Sequence, residues 1–202
     1  ATALVLWPAL AHAFAVQVSP PFESDGSLFV TVTLAQPFDG RVEQSLRGGL
    51  PITIELRAET WRRRNGWFDS QQGTSVRAMR IGYETLKDRY RVERPGNPPE
   101  YFGTLDSLAR FVTRRWNMRL APSAKLQAGA RYYVSVRATL KPLTLEDAEE
   151  VEGWLAGEEG RASAPGIGML AGLPRALFEA ARSVAGFGDR LARAQSADYP
   201  SR

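Results

Sequence analysis

The chain has 202 residues, 26 Lys+Arg against 22 Asp+Glu, a single His and no Cys, with 44% hydrophobic and 24% charged residues. This is an ordinary composition for a globular protein of one or two domains. The missing Cys excludes disulfides, thiolate metal sites and cysteine nucleophiles, and His12 alone supplies no Ser-His-Asp triad and none of the common zinc sites.

Residues 1–14 carry no acid and no Lys or Arg, and Leu4, Val5, Leu6, Trp7 and Leu10 form a short apolar run. Ala11-His12-Ala13 and Ala13-Phe14-Ala15 both fit the small-x-small rule of signal-peptide cleavage. Residues 1–15 therefore read as a signal peptide or signal anchor. The expected location is periplasmic, with the protein free, peripheral on the inner membrane or anchored to it. An exported chain without Cys is compatible with that compartment, where disulfides are permitted but not required. The longest later apolar window, residues 167–184, is interrupted by Arg175, Glu179 and Arg182, and falls short of a membrane span.

Period-two alternation dominates the chain from residue 16 to residue 142. Leu28, Val30, Val32 and Leu34 share one face, as do Ile52, Ile54, Leu56 and Ala58, and then Tyr132, Val134, Val136, Ala138 and Leu140. Each run predicts a half-buried antiparallel strand. Weaker strands are predicted at 16–19, 76–83 and 90–93, with a bulge where the apolar phase slips between Ala78 and Met79. Asn65-Gly66 predicts a type I′ two-residue turn joining 52–64 to 67–71.

Asp39 caps a short predicted helix ending at Gly48-Gly49. Thr104 caps a second over 105–116, whose Leu105, Leu108, Ala109, Val112 and Trp116 make one stripe. Beyond 142, Thr144 and Asp147 resemble a capping box for a helix over 145–156, residues 157–172 read as a linker, and Pro174 suits the first turn of a helix running to Gly186. The predicted fold is mainly β: an antiparallel, immunoglobulin-like β-sandwich over 16–142 with inserted helices. A helical, Gly/Ala-rich extension over 143–202 follows it. That boundary implies a sandwich able to fold without the extension.

The charge is unevenly spread. Residues 41–141 hold 20 bases and 9 acids, whereas residues 142–160 hold seven acids and no base. The two blocks either attract each other within one molecule or face different partners.

Four groups of residues bear on function. Trp61, Arg62, Arg63, Arg64 and Trp67 place three guanidiniums beside two indoles, a set suited to phosphate or carboxylate groups. Such a set also fits a solvated hairpin whose tryptophans cover the sandwich end. Export disfavours a nucleic acid as its partner. Glu55 and Glu59 share a strand face about 13 Å apart, wider than paired glycosidase carboxylates, with Arg57 between them, and so read as ion-pair partners. Of Tyr132 and Tyr133, one must face the core and the other outward. In the tail, Leu173, Leu177 and Phe178 belong to an apolar helical stripe that fits a partner's groove, a membrane interface or the protein's own sandwich.

The chain resembles an uncharacterised family of exported bacterial proteins, domain of unknown function 4390. The likeness rests on Gly49-Leu50-Pro51-Ile52, Glu59-Thr60-Trp61-Arg62-Arg63-Arg64, Trp67-Phe68-Asp69, Tyr83-Glu84-Thr85-Leu86, Arg89-Tyr90-Arg91-Val92, Phe102-Gly103-Thr104-Leu105 and Arg131-Tyr132-Tyr133-Val134. It implies an envelope location, no established enzymatic activity and, from genes lying near membrane sensor histidine kinases, a signalling partner. It does not extend to the acidic stretch and tail after Pro142.

Taken together these features predict a non-enzymatic accessory protein, without cofactor or metal, that associates with a membrane protein or membrane complex, a sensor kinase being one candidate. The alternative is direct binding of anionic lipid or glycan through the Arg/Trp hairpin.

Overall fold

A computed structural model describes residues 14–64, 66–142 and 189–201. The predicted signal segment up to residue 13, the helices over 145–156 and 174–186, the linker between them and the stripe of Leu173, Leu177 and Phe178 lie outside the described residues.

Two antiparallel sheets pack face to face. In the first, β3 (Ser27–Ala35) pairs along one edge with β1 (Ala15–Val18) and β2 (Phe22–Ser24). Its other edge pairs with β8 (Trp116–Pro122). The second sheet runs in the order β10 (Arg190–Gln195), β9 (Arg131–Pro142), β4 (Ile52–Arg62), β5 (Ser70–Glu84), β6 (Arg89–Glu93) and β7 (Glu100–Phe102). A last short strand, β11 (Tyr199–Pro200), pairs with the start of β9. The predicted alternation is the packing pattern: Val30, Val32 and Leu34 from one sheet meet Ile52, Ile54, Leu56, Val134, Val136 and Leu140 from the other in a single buried cluster. Strands that bury every second side chain need a second apolar layer, and here each sheet supplies it to the other.

Two helices close the open sides. α1 (Gly40–Arg47) starts at Asp39, whose side chain accepts the Val42 N–H at 3.0 Å. It buries Val42 and Leu46. α2 (Leu105–Val112) starts at Thr104, where the Thr104 hydroxyl accepts the Ser107 N–H and the Ser107 hydroxyl accepts the Thr104 N–H, a reciprocal cap. α2 is shorter than the predicted 105–116. It stops at Thr113, and Trp116 opens β8 instead, its indole N–H donating to the Val112 carbonyl at 2.9 Å. Trp116 thus stays on the buried side of the helix stripe without being part of the helix.

Two further expectations are corrected. The irregularity in the β4–β5 pairing lies between Thr60 and Trp61, opposite Gly73 and Gln71, and not at Ala78/Met79. The slip in apolar phase has another origin: Leu56 pairs with Arg77, so an arginine takes the inward position next to Met79 while Val76 and Ala78 face outward. The sandwich also does not end at Pro142. β10 pairs with β9 over six positions, from Arg190↔Leu140 to Gln195↔Ser135, and residues 190–200 complete the sheet. The Ser196 hydroxyl accepts the buried Val134 N–H at 2.9 Å. Arg190 pairs with the cap residue Asp39, tying the end of the chain to α1.

Candidate functional site

The Arg/Trp segment lies where β4 leaves the sheet. The two-residue turn expected at Asn65-Gly66 is replaced by a longer loop. The last ladder pair is Arg62↔Ser70, residues 63–69 form the connection, Gly66 takes a left-handed φ of 73°, and Asn65 lies outside the described residues. The loop opens because its backbone finds other partners. The Arg63 N–H donates to the Arg131 carbonyl at 2.8 Å, so this residue stays with β9 and not with β5. The Arg64 N–H donates to Asp69 Oδ1 at 3.1 Å, and the Tyr133 hydroxyl donates to Asp69 Oδ2 at 3.0 Å. Asp69 is thereby the staple of the loop. Partial burial and the Asp69 carboxylate both push the Tyr133 hydroxyl above its ordinary acidity range, which keeps it a donor.

The five predicted hairpin residues are brought to one end of the sandwich but have separate environments. Trp61 is half-buried opposite Tyr133 on the outer face of the sheet. Arg62 pairs with Tyr132, which is the inward tyrosine, and its guanidinium donates to Gln127 Oε1. Arg63 is exposed but engaged. Its Nε reaches both carboxylate oxygens of Asp198 at 2.9 Å, and its guanidinium stacks over the Tyr133 ring at 4.8 Å. The hydrogen bond that Arg63 donates to Asp198 and the charge of that carboxylate raise the Arg63 guanidinium further above its ordinary value. Among the described residues Arg64 makes no ion pair. Trp67 is 74% exposed and Phe68 88% exposed. The tryptophans do not both cover the sandwich end: Trp67 points into solvent together with its neighbour Phe68. Two of the three arginines are committed to partners within the protein, and the free part of the hairpin is an apolar tip with one arginine.

Of the two carboxylates only Glu59 takes the expected ion-pair role, and among the described residues Glu55 makes no ion pair. Arg57 Nε lies 2.9 Å from Glu59 Oε1 on the outer face of the sheet. A second arginine group went unrecognised in the sequence. Arg77, Arg94 and Arg114, far apart in the chain, gather around Phe111 and Trp116.

Fold and site together define a class: a two-sheet antiparallel β-sandwich that carries an arginine–aromatic hairpin stapled by Asp69 at one end. Its family follows from comparison with family models. The chain matches the Domain of unknown function (DUF4390) over residues 13–145, more than half its length, and belongs to that family. No match is found among curated proteins or among solved structures. The matched region stops before β10 and β11, so this chain completes its sheet with strands that lie outside the region of the family match.

Proposed function

We propose that the protein is a non-enzymatic periplasmic accessory protein that docks on a membrane protein or membrane complex through the tip of its β4–β5 hairpin, a sensor kinase being one such partner. The observation that carries this reading is the exposure of Trp67 and Phe68, side by side on a loop stapled by Asp69. Two large aromatics held in water on a preorganised loop cost solvation free energy that burial against a partner recovers, and aromatic anchors of this kind dominate many interfaces. Among the described residues no helix is long and apolar enough to cross a membrane, so attachment would rest on surface contacts or on a segment outside them.

A second reading is favoured by Arg64, which makes no ion pair among the described residues and stands beside the aromatic tip. One cation flanking two aromatics suits the interface of an anionic bilayer or glycan. The test is recovery of the tagged protein from native membranes in mild detergent, with Trp67→Ser and Phe68→Ser combined as the comparison. Stoichiometric recovery of one membrane protein, lost in the variant, supports docking. Recovery alone, with salt-sensitive flotation on phosphatidylglycerol vesicles that the variant lacks, supports the second reading. Identical behaviour of the variant in both assays removes the hairpin tip from either role.

A further inference from the structure

The inner face of β5 changes character partway along. Ile81 and Met79 are buried apolar residues, but the next inward position holds Arg77. β6 continues the same way: Tyr90 and Val92 face the core, and two residues on, just past the strand, stands Arg94. Arg114, from the turn between α2 and β8, covers them. The three guanidiniums surround one aromatic pair, Phe111 and Trp116, whose rings meet edge to face at 5.6 Å. Arg114 lies 4.1 Å from the Phe111 centroid and 4.2 Å from that of Trp116. Arg77 lies 5.7 Å from Trp116, and Arg94 5.4 Å and 5.7 Å from Phe111 and Trp116.

The negative charge facing this group is small. Glu100 Oε2 approaches Arg94 Nη2 at 2.9 Å, and among the described residues neither Arg77 nor Arg114 has an ion pair. Arg94 Nε is buried and has no hydrogen-bond partner. Burial, then the like charges of Arg94 and Arg114, lower the Arg77 guanidinium from its ordinary value. Two partly buried cations, Arg77 and Arg94, with the exposed Arg114 beside them and one carboxylate among them, destabilise the empty protein, because repulsion between the buried pair is not screened as it is in water.

The space beside them is open. Two adjoining cavities, of about 550 Å³ and 300 Å³, share Ala78, Arg94, Pro95 and Asn97. Arg77 lines the smaller. Arg80 and Glu93 line the larger, where Arg80 Nη2 is buried without a hydrogen-bond partner and Glu93 is engaged by Arg91. Guanidiniums packed over aromatic rings still carry N–H donors that match phosphoryl oxygens. An excess of two positive charges over Glu100 suits a dianion, and Ala78 with Pro95 and Pro99 offers apolar wall to a body larger than inorganic phosphate.

We propose that the cleft between β5 and the loop after β6 binds a phosphoryl-bearing anion through Arg77, Arg94 and Asn97, with Arg114 adding its charge from across the aromatic pair. The source is a soluble organic phosphate or the headgroup of a phospholipid, which share this chemistry.

The test uses the full chain at constant ionic strength set with chloride. Melting temperature is followed against inorganic phosphate and glycerol 3-phosphate, and flotation is measured on vesicles of phosphatidic acid and of phosphatidylcholine. Saturable stabilisation by the soluble phosphates is expected if the ligand is free, and flotation on phosphatidic acid alone if it is a headgroup. In either case Arg77→Gln weakens the interaction about tenfold or more, the loss that follows from removing one charge-assisted contact. The same variant without ligand melts no lower than the natural protein, since it relieves repulsion. Arg94→Gln gives a second, independent loss, and Arg193→Gln, on the outer face, changes neither assay. No binding in any arm, or binding that Arg77→Gln leaves intact, overturns the proposal. Because the hairpin tip is not involved, the tip variant retains this binding whatever becomes of membrane docking.

Discussion

Removing residues 190–202 should cost the sandwich a large part of its stability, although this stretch lies outside the family match. At least four hydrogen bonds go with it. The Ser196 N–H donates to Val134 O at 2.9 Å, the Val134 N–H to Ser196 Oγ at 2.9 Å, the Ser201 N–H to Ala130 O at 2.9 Å and the Gly129 N–H to Ser201 O at 3.1 Å. At about 1 kcal/mol net for each bond, these alone contribute about 4 kcal/mol, and Ala192 leaves the core as well. Domains of this kind are stable by only about 5–15 kcal/mol in total, so the shortened chain sits near the threshold of folding. A single substitution checks the cause. Ser196→Ala leaves the buried Val134 N–H unpaired, at a cost of about 1–3 kcal/mol. Urea denaturation followed by circular dichroism gives both values. A deletion that shifts stability by less than about 1 kcal/mol would refute β10 and β11 as structural strands, and a chain ended at Pro142 would then be the free-standing core that its sequence suggested.

Other outcomes follow from the same contacts. Asp39 is partly buried, which by itself raises its carboxyl, but the Val42 N–H and Arg190 outweigh burial and hold it below the ordinary value of 3.8. A carboxylate depressed in the folded state contributes its stability above the unfolded value and loses it as pH falls through the folded one. Asp39→Ala should therefore cost about 1 kcal/mol near pH 7, a difference that narrows below pH 4 in acid-denaturation curves. Asp198→Ala releases Arg63 with little change in melting temperature, because the pair is exposed. If the hairpin binds anionic lipid, that variant floats more readily on phosphatidylglycerol vesicles, and unchanged flotation counts against a lipid role for Arg63. Phe14 packs on the core and Ala15 pairs with Ala35, so cleavage after Ala13 leaves β1 whole whereas cleavage after Ala15 removes its first residue. If the chain is exported with its leader removed, N-terminal sequencing should accordingly begin at Phe14.

Those parts of the fold in which local pattern and tertiary environment agree were legible in the sequence. β3, β4 and β9 alternate because each has one buried face, and Asp39 and Thr104 mark helix starts because each satisfies an orphan backbone donor. β8 was missed because Trp116 lies four residues after Val112 and so extends the helical stripe. Its indole does stay near that stripe, while the backbone has already become strand. β10 was missed for the opposite reason. Its one large apolar residue, Leu191, is 49% exposed, and its inward side carries Arg190 and two alanines, so the strand owes its place to the pairing edge offered by β9.

The candidate sites divide along the same line. The hairpin was visible because its residues are adjacent in the chain. How many of its arginines were already engaged depended on Gln127 and Asp198, distant in sequence. The Arg77, Arg94 and Arg114 group was invisible because three separate elements contribute one arginine each. The inward position of Arg77 could be inferred only from the register that pairs it with Leu56.

The central proposal is that the hairpin tip contacts a membrane protein. The direct measurement is site-specific photo-crosslinking in native membranes, with the reactive group placed in turn at Trp67, at Phe68 and at Lys87, which follows the far end of β5. The account predicts one discrete adduct with a membrane protein from positions 67 and 68 and none from 87. Adducts of equal yield from all three positions, or none from the tip, would contradict it.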